Sequence, residues 1–164
     1  MGRSALVMWF HRAPLRLHRL GIRGLERLIG IDWIVITTRG RRSGVPREVM
    51  LDVIDHDEAR DTWYVQPADG RRANWFQNLL ANPTVTVEVR GRHFEATARD
   101  ATGPEGADVV LRFIRTHPLY ARLIVWMLRY VDSIDHPDET LRAQLTTVPV
   151  MALRPITSED SRSR

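Results

Sequence analysis

Three arginines, two glycines and a serine fall within the eight residues Gly40-Arg41-Arg42-Ser43-Gly44-Val45-Pro46-Arg47, a composition suited to holding an anion. Glycine reaches backbone angles closed to other residues, so successive N–H groups can converge on one point. Arg41, Arg42 and Arg47 add guanidinium forks, and Ser43 adds a hydroxyl donor. The matching ligand is a phosphate or a carboxylate. The same residues would also make a plain hairpin turn whose arginines keep a sheet edge soluble. Taken alone, the stretch leaves both readings open.

A second stretch, Asp69-Gly70-Arg71-Arg72-Ala73-Asn74-Trp75-Phe76-Gln77-Asn78-Leu79-Leu80-Ala81-Asn82-Pro83, places Asn74 and Asn78 one helical turn apart on a shared face. Asn74 reads as the N-cap of a helix that Asn82-Pro83 ends, and Trp75 would offer a flat aromatic surface near the positive helix N-terminus. Alternatively, Trp75, Leu79 and Leu80 plug one end of a barrel.

Most other chemistries are excluded by composition. The chain has no cysteine, and all 24 of its Lys+Arg residues are arginine, so thiolate metal sites, cysteine nucleophiles and lysine Schiff bases are absent. The histidines at positions 11, 18, 56, 93, 117 and 136 never pair at metal-ligand spacing on one helix. The acidic run Asp132, Asp135, Asp138, Glu139 lacks the glycine and terminal glutamate of a calcium loop. Neither a nucleophile elbow nor a phosphate-binding P-loop occurs. With no acid, base or nucleophile set of its own, the chain points to a bound cofactor as the source of reactivity.

Six candidate strands would position these residues: Asp32 to Thr38, Arg47 to Ile54, Thr62 to Gln66, Thr84 to Val89, Arg92 to Arg99 and Val148 to Leu153. The fourth alternates Val85, Val87 and Val89 against Thr86 and Glu88, and Arg90-Gly91 reads as a two-residue hairpin into the fifth, whose Phe94, Ala96 and Ala98 continue the inward face. Short, mostly hairpin-linked strands predict a small antiparallel barrel, mainly β with helices (α+β). Helices are expected over Trp75 to Ala81, from Thr102 or Gly103 through a stripe of Val109, Val110, Phe113 and Ile114, from Pro118 to Val131, and over Asp138 to Leu145. The organisation is a basic amphipathic helical segment over residues 1–30, one barrel domain over 31–156, and a frayed tail over 157–164.

The order strand, G-R-R-S-G-x-P-R, two strands, N-W-F-Q-N-L-L-A-N-P, then V-T-V-E-V-R-G-R-x-F-E-A-T-A-R resembles the deazaflavin-dependent nitroreductase and quinone reductase family of actinobacteria. The resemblance runs from about Ile34 to Arg99 and resumes at Thr147 to Pro155. It implies a split β-barrel of the flavin-binding oxidase type, coenzyme F420 as cofactor, and hydride transfer from reduced deazaflavin to a quinone, enone or nitroaromatic acceptor. It places the anionic tail on Arg41, Arg42, Ser43, Gly44 and Arg47. The deazaflavin ring falls along Gln66, Pro67, Ala68, Asp69 and Gly70, with Asn74, Trp75 and Asn78 on its other side. Tyr120 matches a tyrosine facing the substrate. Family members often carry Ser-Lys-Gly-Gly where this chain has Ala68-Asp69-Gly70-Arg71; Arg71 or Arg72 could restore the lost lysine charge. The segment from Arg122 to Leu145 is longer than in those members, so the substrate pocket could differ. Related barrels hold FMN, the alternative cofactor, whose shorter anionic tail suits the four arginines around the loop, Arg39, Arg41, Arg42 and Arg47, less well.

Residues 1–30 hold six arginines against one glutamate, a net +5 in a chain of net +4. With Trp9 and Phe10 among those arginines, the segment could lie on an anionic membrane surface or pack on the domain with its arginines in water. A non-catalytic membrane-surface or cofactor-carrier protein is the rival reading it supports. No apolar run is long enough to span a bilayer, and the arginines interrupt any signal-peptide core, so a cytoplasmic protein is expected, with peripheral attachment to the inner face of the plasma membrane left open as the alternative to packing on the domain. Nucleic acid is not an expected partner, because the remainder of the chain is slightly acidic. The sequence leaves the oligomeric state open.

Overall fold

The computed structural model describes residues 30–119 and 139–157. The expected N-terminal segment, the body of the helix expected over Pro118 to Val131 with Tyr120 in it, and the tail from 158 onward lie outside the described residues.

Six antiparallel strands close into a barrel: β1 (Trp33–Arg39), β2 (Pro46–Asp57), β3 (Thr62–Val65), β4 (Thr84–Val89), β5 (Arg92–Asp100) and β6 (Met151–Pro155), in the order β1-β2-β3-β6-β5-β4, with β4 returning to β1. Alternation drives closure. Ile34 and Ile36 of β1, Val85, Val87 and Val89 of β4, Ala96 and Ala98 of β5, and Leu153 of β6 fill the interior, while the residues between them face outward. Burying each large aliphatic side chain stabilises by about 1.5–3 kcal/mol, and a one-residue slip in register would turn the whole set to solvent. Arg90 and Gly91 take φ of 48° and 76°, the doubly left-handed turn whose twist matches a two-residue hairpin.

Most strand ends lie within a residue of expectation, and the larger differences are in β2 and β6. β2 continues to Asp57, past the expected end at Ile54, because a register shift between Val53 and Asp55 lets the strand keep pairing with β3. β6 begins at Met151 rather than Val148; Val148, Pro149 and Val150 are buried but precede the ladder.

Helix α1 (Asn74–Ala81) links β3 to β4 and inserts Trp75, Phe76 and Leu79 into the barrel core. Helix α2 (Pro104–Thr116) starts with Gly103 as N-cap and Pro104 in its first turn, and buries the expected Val109, Val110, Phe113 and Ile114. With helix α3 (Glu139–Leu145), α2 forms a second core on the outside of the barrel around Ile54, Tyr64 and Ala152. Among the described residues no helix is long and apolar enough to cross a membrane.

Candidate functional site

The antiparallel order brings the distant stretches to one end of the barrel. β1 runs into the loop that turns back as β2; β3, antiparallel to β2, delivers Gln66 to Asp69 at the same end; β4 starts there and β5 finishes there at Asp100. α1, lying between β3 and β4, covers this end.

Within the loop, the Gly40 N–H donates to the Val45 carbonyl at 3.0 Å and the Gly44 N–H to the Gly40 carbonyl at 2.7 Å. Gly44 sits at φ 66°, a conformation an L side chain resists. Space at Gly40 is tight, since a Cβ there would stand 2.8 Å from the Ser43 Oγ and 3.3 Å from the Val45 carbonyl oxygen. The backbone N–H groups of Arg42 and Ser43 have no acceptor among the described residues, and neither do the exposed guanidiniums of Arg42 and Arg47. Arg47 pairs across the ladder with Thr38, so it shares the inward face that continues through Leu51 and Val53 and rises from the barrel mouth.

Loop and helix meet through Arg41. Its backbone N–H and its Nη1 both donate to the Asn78 Oδ1 at 3.1 Å, and the same Nη1 donates to the Asn74 Oδ1 at 3.3 Å. Asn78, 4% exposed, also donates from Nδ2 to the Thr38 Oγ1 at 3.2 Å, and that hydroxyl donates to the Arg47 carbonyl at 3.4 Å. A buried amide without such partners would cost roughly 1–3 kcal/mol. Asn74 is the first helical residue, not the N-cap: Ala73 occupies the cap without a side-chain bond, and the Asn74 side-chain Oδ1 accepts from Arg41 instead. Trp75 is 8% exposed and packs edge-on against Phe76 in the barrel core. Of the expected plug residues Leu79 is buried, whereas Leu80 is 46% exposed.

The segment from β3 to α1 passes through Gln66 and Ala68, both half-buried, the buried Pro67 and the exposed Asp69 into a 3-10 turn over Gly70–Arg72. Arg71, one of the two arginines expected to restore the lysine charge, is already engaged. Its guanidinium bonds Asp100 and the Thr102 hydroxyl and lies 5.5 Å over the Phe76 ring, while its carbonyl accepts from Gln77 at 2.8 Å. Arg71 thus fastens this segment to the end of β5. The exposed Arg72 has no ion-pair partner among the described residues.

Sequence reasoning missed Thr38 and the Arg71–Asp100 tie. Thr38 was detectable: it follows Ile34 and Ile36 at strand spacing, which puts a hydroxyl on a core face where it must find a partner. Also missed was a cluster on the outer face of β3, β6 and β5. There the Tyr64 hydroxyl donates to Glu105 at 2.9 Å and Arg99 grips the same carboxylate with both Nη atoms at 2.9 and 2.7 Å. Burial, and then the bond to Glu105, push the Tyr64 hydroxyl up to about 12, and the Arg99 guanidinium holds Glu105 below the usual carboxylate range. This cluster ties α2 to the barrel and lines a pocket of about 310 Å³.

No group of three or more potential metal ligands exists among the described residues. What the barrel end offers is a donor set: guanidiniums, backbone N–H groups and a serine hydroxyl, the chemistry of an extended polyanion site.

The family described as F420H(2)-dependent quinone reductase matches residues 14–131. Among solved structures, an F420-H2 dependent reductase (FDR-A) is 22% identical, with 74% of this chain and 93% of that chain covered at a TM-score of 0.51. A domain-swapped dimer is also 22% identical, over 74% of this chain and 79% of that one, at 0.50. A protein of unknown function from Agrobacterium tumefaciens str. C58 is 15% identical, over 81% of this chain and 56% of that one, at 0.51. These likenesses establish a shared barrel fold.

Proposed function

We propose the following reading for a chain that belongs to the F420H(2)-dependent quinone reductase family, and is therefore an F420-dependent reductase acting on a small-molecule acceptor. The physiological acceptor is a quinone, and the anionic tail of the cofactor lies on Arg41, Arg42, Ser43, Gly44 and Arg47. The observation that carries this reading is the donor set of the loop. Arg42 and Arg47, the N–H groups of Arg42 and Ser43, and part of the Arg41 guanidinium all stand at one barrel end without acceptors among the described residues. A tail of one phosphate and several carboxylates suits that set better than a single phosphate does.

Reduced F420, when bound, supplies a hydride. Quinone reduction to a hydroquinone takes one hydride and one proton, so the chain has to place the acceptor and provide a proton path. Gln66 to Gly70, fixed by the Arg71 tie to β5, form the wall for the ring. The Tyr120 hydroxyl, outside the described residues, is the proton donor suggested by the family resemblance. Asn74 and Asn78 serve the site from α1, and Trp75 supports it from the core.

Residues 1–30, with a net charge of +5, associate peripherally with the anionic inner face of the plasma membrane, which would bring a cytoplasmic enzyme to membrane-dissolved quinones. The test of the function is anaerobic oxidation of reduced F420 by the protein with menadione as acceptor. Turnover above the protein-free rate supports it, and turnover at that rate with every quinone, enone and nitroaromatic tried contradicts it.

A further inference from the structure

The arrangement around Arg41 carries one step more, resting on the proposed tail site. A guanidinium has five N–H donors in a rigid plane, two of them on Nη1. Here Nη1 faces two acceptors, the Oδ1 atoms of Asn74 at 3.3 Å and Asn78 at 3.1 Å, which account for both of its protons. The Asn78 oxygen uses its second lone pair on the Arg41 backbone N–H, and its amide nitrogen is held by the buried Thr38. The Arg41 side chain is therefore fixed at its root and at one corner of its head. What remains is the Nε–Nη2 edge, whose parallel N–H bonds have no acceptor among the described residues.

We propose that Asn74 and Asn78 are positioning residues that act on the ligand through Arg41. They set the Nε–Nη2 edge as a two-pronged fork for one oxyanion, the phosphate or a carboxylate of the cofactor tail, and do not touch the cofactor ring. Both carbonyl oxygens already point at Arg41. Asn78 is buried beneath that side chain, so a ligand would reach its amide only by displacing the arginine. A fork held in place loses less conformational freedom on binding than a free arginine would. The geometry also excludes lysine as a substitute, since an ammonium carries charge but no fork.

A double-mutant cycle separates this from direct contact. Affinity for oxidised F420 is measured by fluorescence titration, and melting temperature is recorded for each variant. Arg41→Ala should weaken binding by about tenfold or more, the worth of a charge-assisted pair. Asn74→Ala and Asn78→Ala should each weaken it by about threefold to tenfold in the native background and by less than about twofold in the Arg41→Ala background. Arg41→Lys should bind within about twofold of Arg41→Ala. Asn74 is exposed, so its arm of the cycle remains readable if Asn78→Ala fails to fold. Equal losses in both backgrounds, no loss for Asn74→Ala, or rescue by Arg41→Lys would overturn the proposal while leaving the tail site standing. An Arg41→Ala variant that binds F420 like the native protein would overturn the tail site and this inference together.

Discussion

Asn78 Oδ1 accepts the Nη1 of Arg41 at 3.1 Å across 37 residues of sequence, and this bond joins the two stretches that carry the candidate chemistry. It makes the loop between β1 and β2 and the helix α1 one unit, with the arginine held between them.

Replacing Arg41 and Arg42 together by alanine removes two charge-assisted contacts to the tail, each worth roughly 1.5–3 kcal/mol. F420 affinity should fall by at least about a hundredfold. The residue-41 backbone N–H still satisfies the buried Asn78 Oδ1 after truncation, so the melting temperature should fall only modestly, by the loss of the two Nη1 bonds to α1. A double variant that melts normally and binds as before would remove the loop from the site.

Much of this was legible in advance, because the barrel strands alternate cleanly. Val85, Val87 and Val89 announce their own face, and the Arg90-Gly91 turn fixes the register of the strand that follows. Boundaries were less legible where tertiary contacts override local signals. β2 runs through Asp55, His56 and Asp57 because Arg112 of α2, supplied by distant chain, bonds Asp55, and because His56 pairs with and stacks on Trp63 of the adjoining β3 at 3.6 Å. In the site, residue types pointed to the loop and the helix, but nothing local told that Asn74 would decline the cap to meet Arg41, or that Asp100 would take Arg71.

Alkaline pH offers a test of the Tyr64–Glu105 cluster. The tyrosine's ordinary value is 10.0 and the folded protein raises it to about 12, so its protonated form is the one folding favours. The stabilisation is complete below pH 10 and is lost as pH rises toward 12. The native melting temperature should therefore fall more steeply over that window than that of Tyr64→Phe, which has no proton to lose there. Parallel curves would show that Tyr64 titrates as a free tyrosine does.

Tyr120→Phe keeps the ring and removes only the hydroxyl. If that hydroxyl gives its proton as the acceptor is reduced, turnover with menadione should drop by roughly ten- to a hundredfold, with F420 affinity and melting temperature little changed. An unchanged turnover number would assign the proton to another donor.

The basic segment predicts co-sedimentation of the full chain with anionic but not neutral liposomes, reversed by salt because the attraction is screened. A chain lacking residues 1–30 should stay in the supernatant; equal sedimentation of the two would place membrane binding elsewhere or nowhere.

The central claim is that this barrel end is built for the long polyanionic tail of F420. Titrating the apo-protein in parallel with F420 and FMN tests it most directly. F420 should bind at least about tenfold more tightly, the return on one additional charge-assisted contact, and the preference should shrink as salt is raised. Binding of FMN with no measurable binding of F420 would contradict the account.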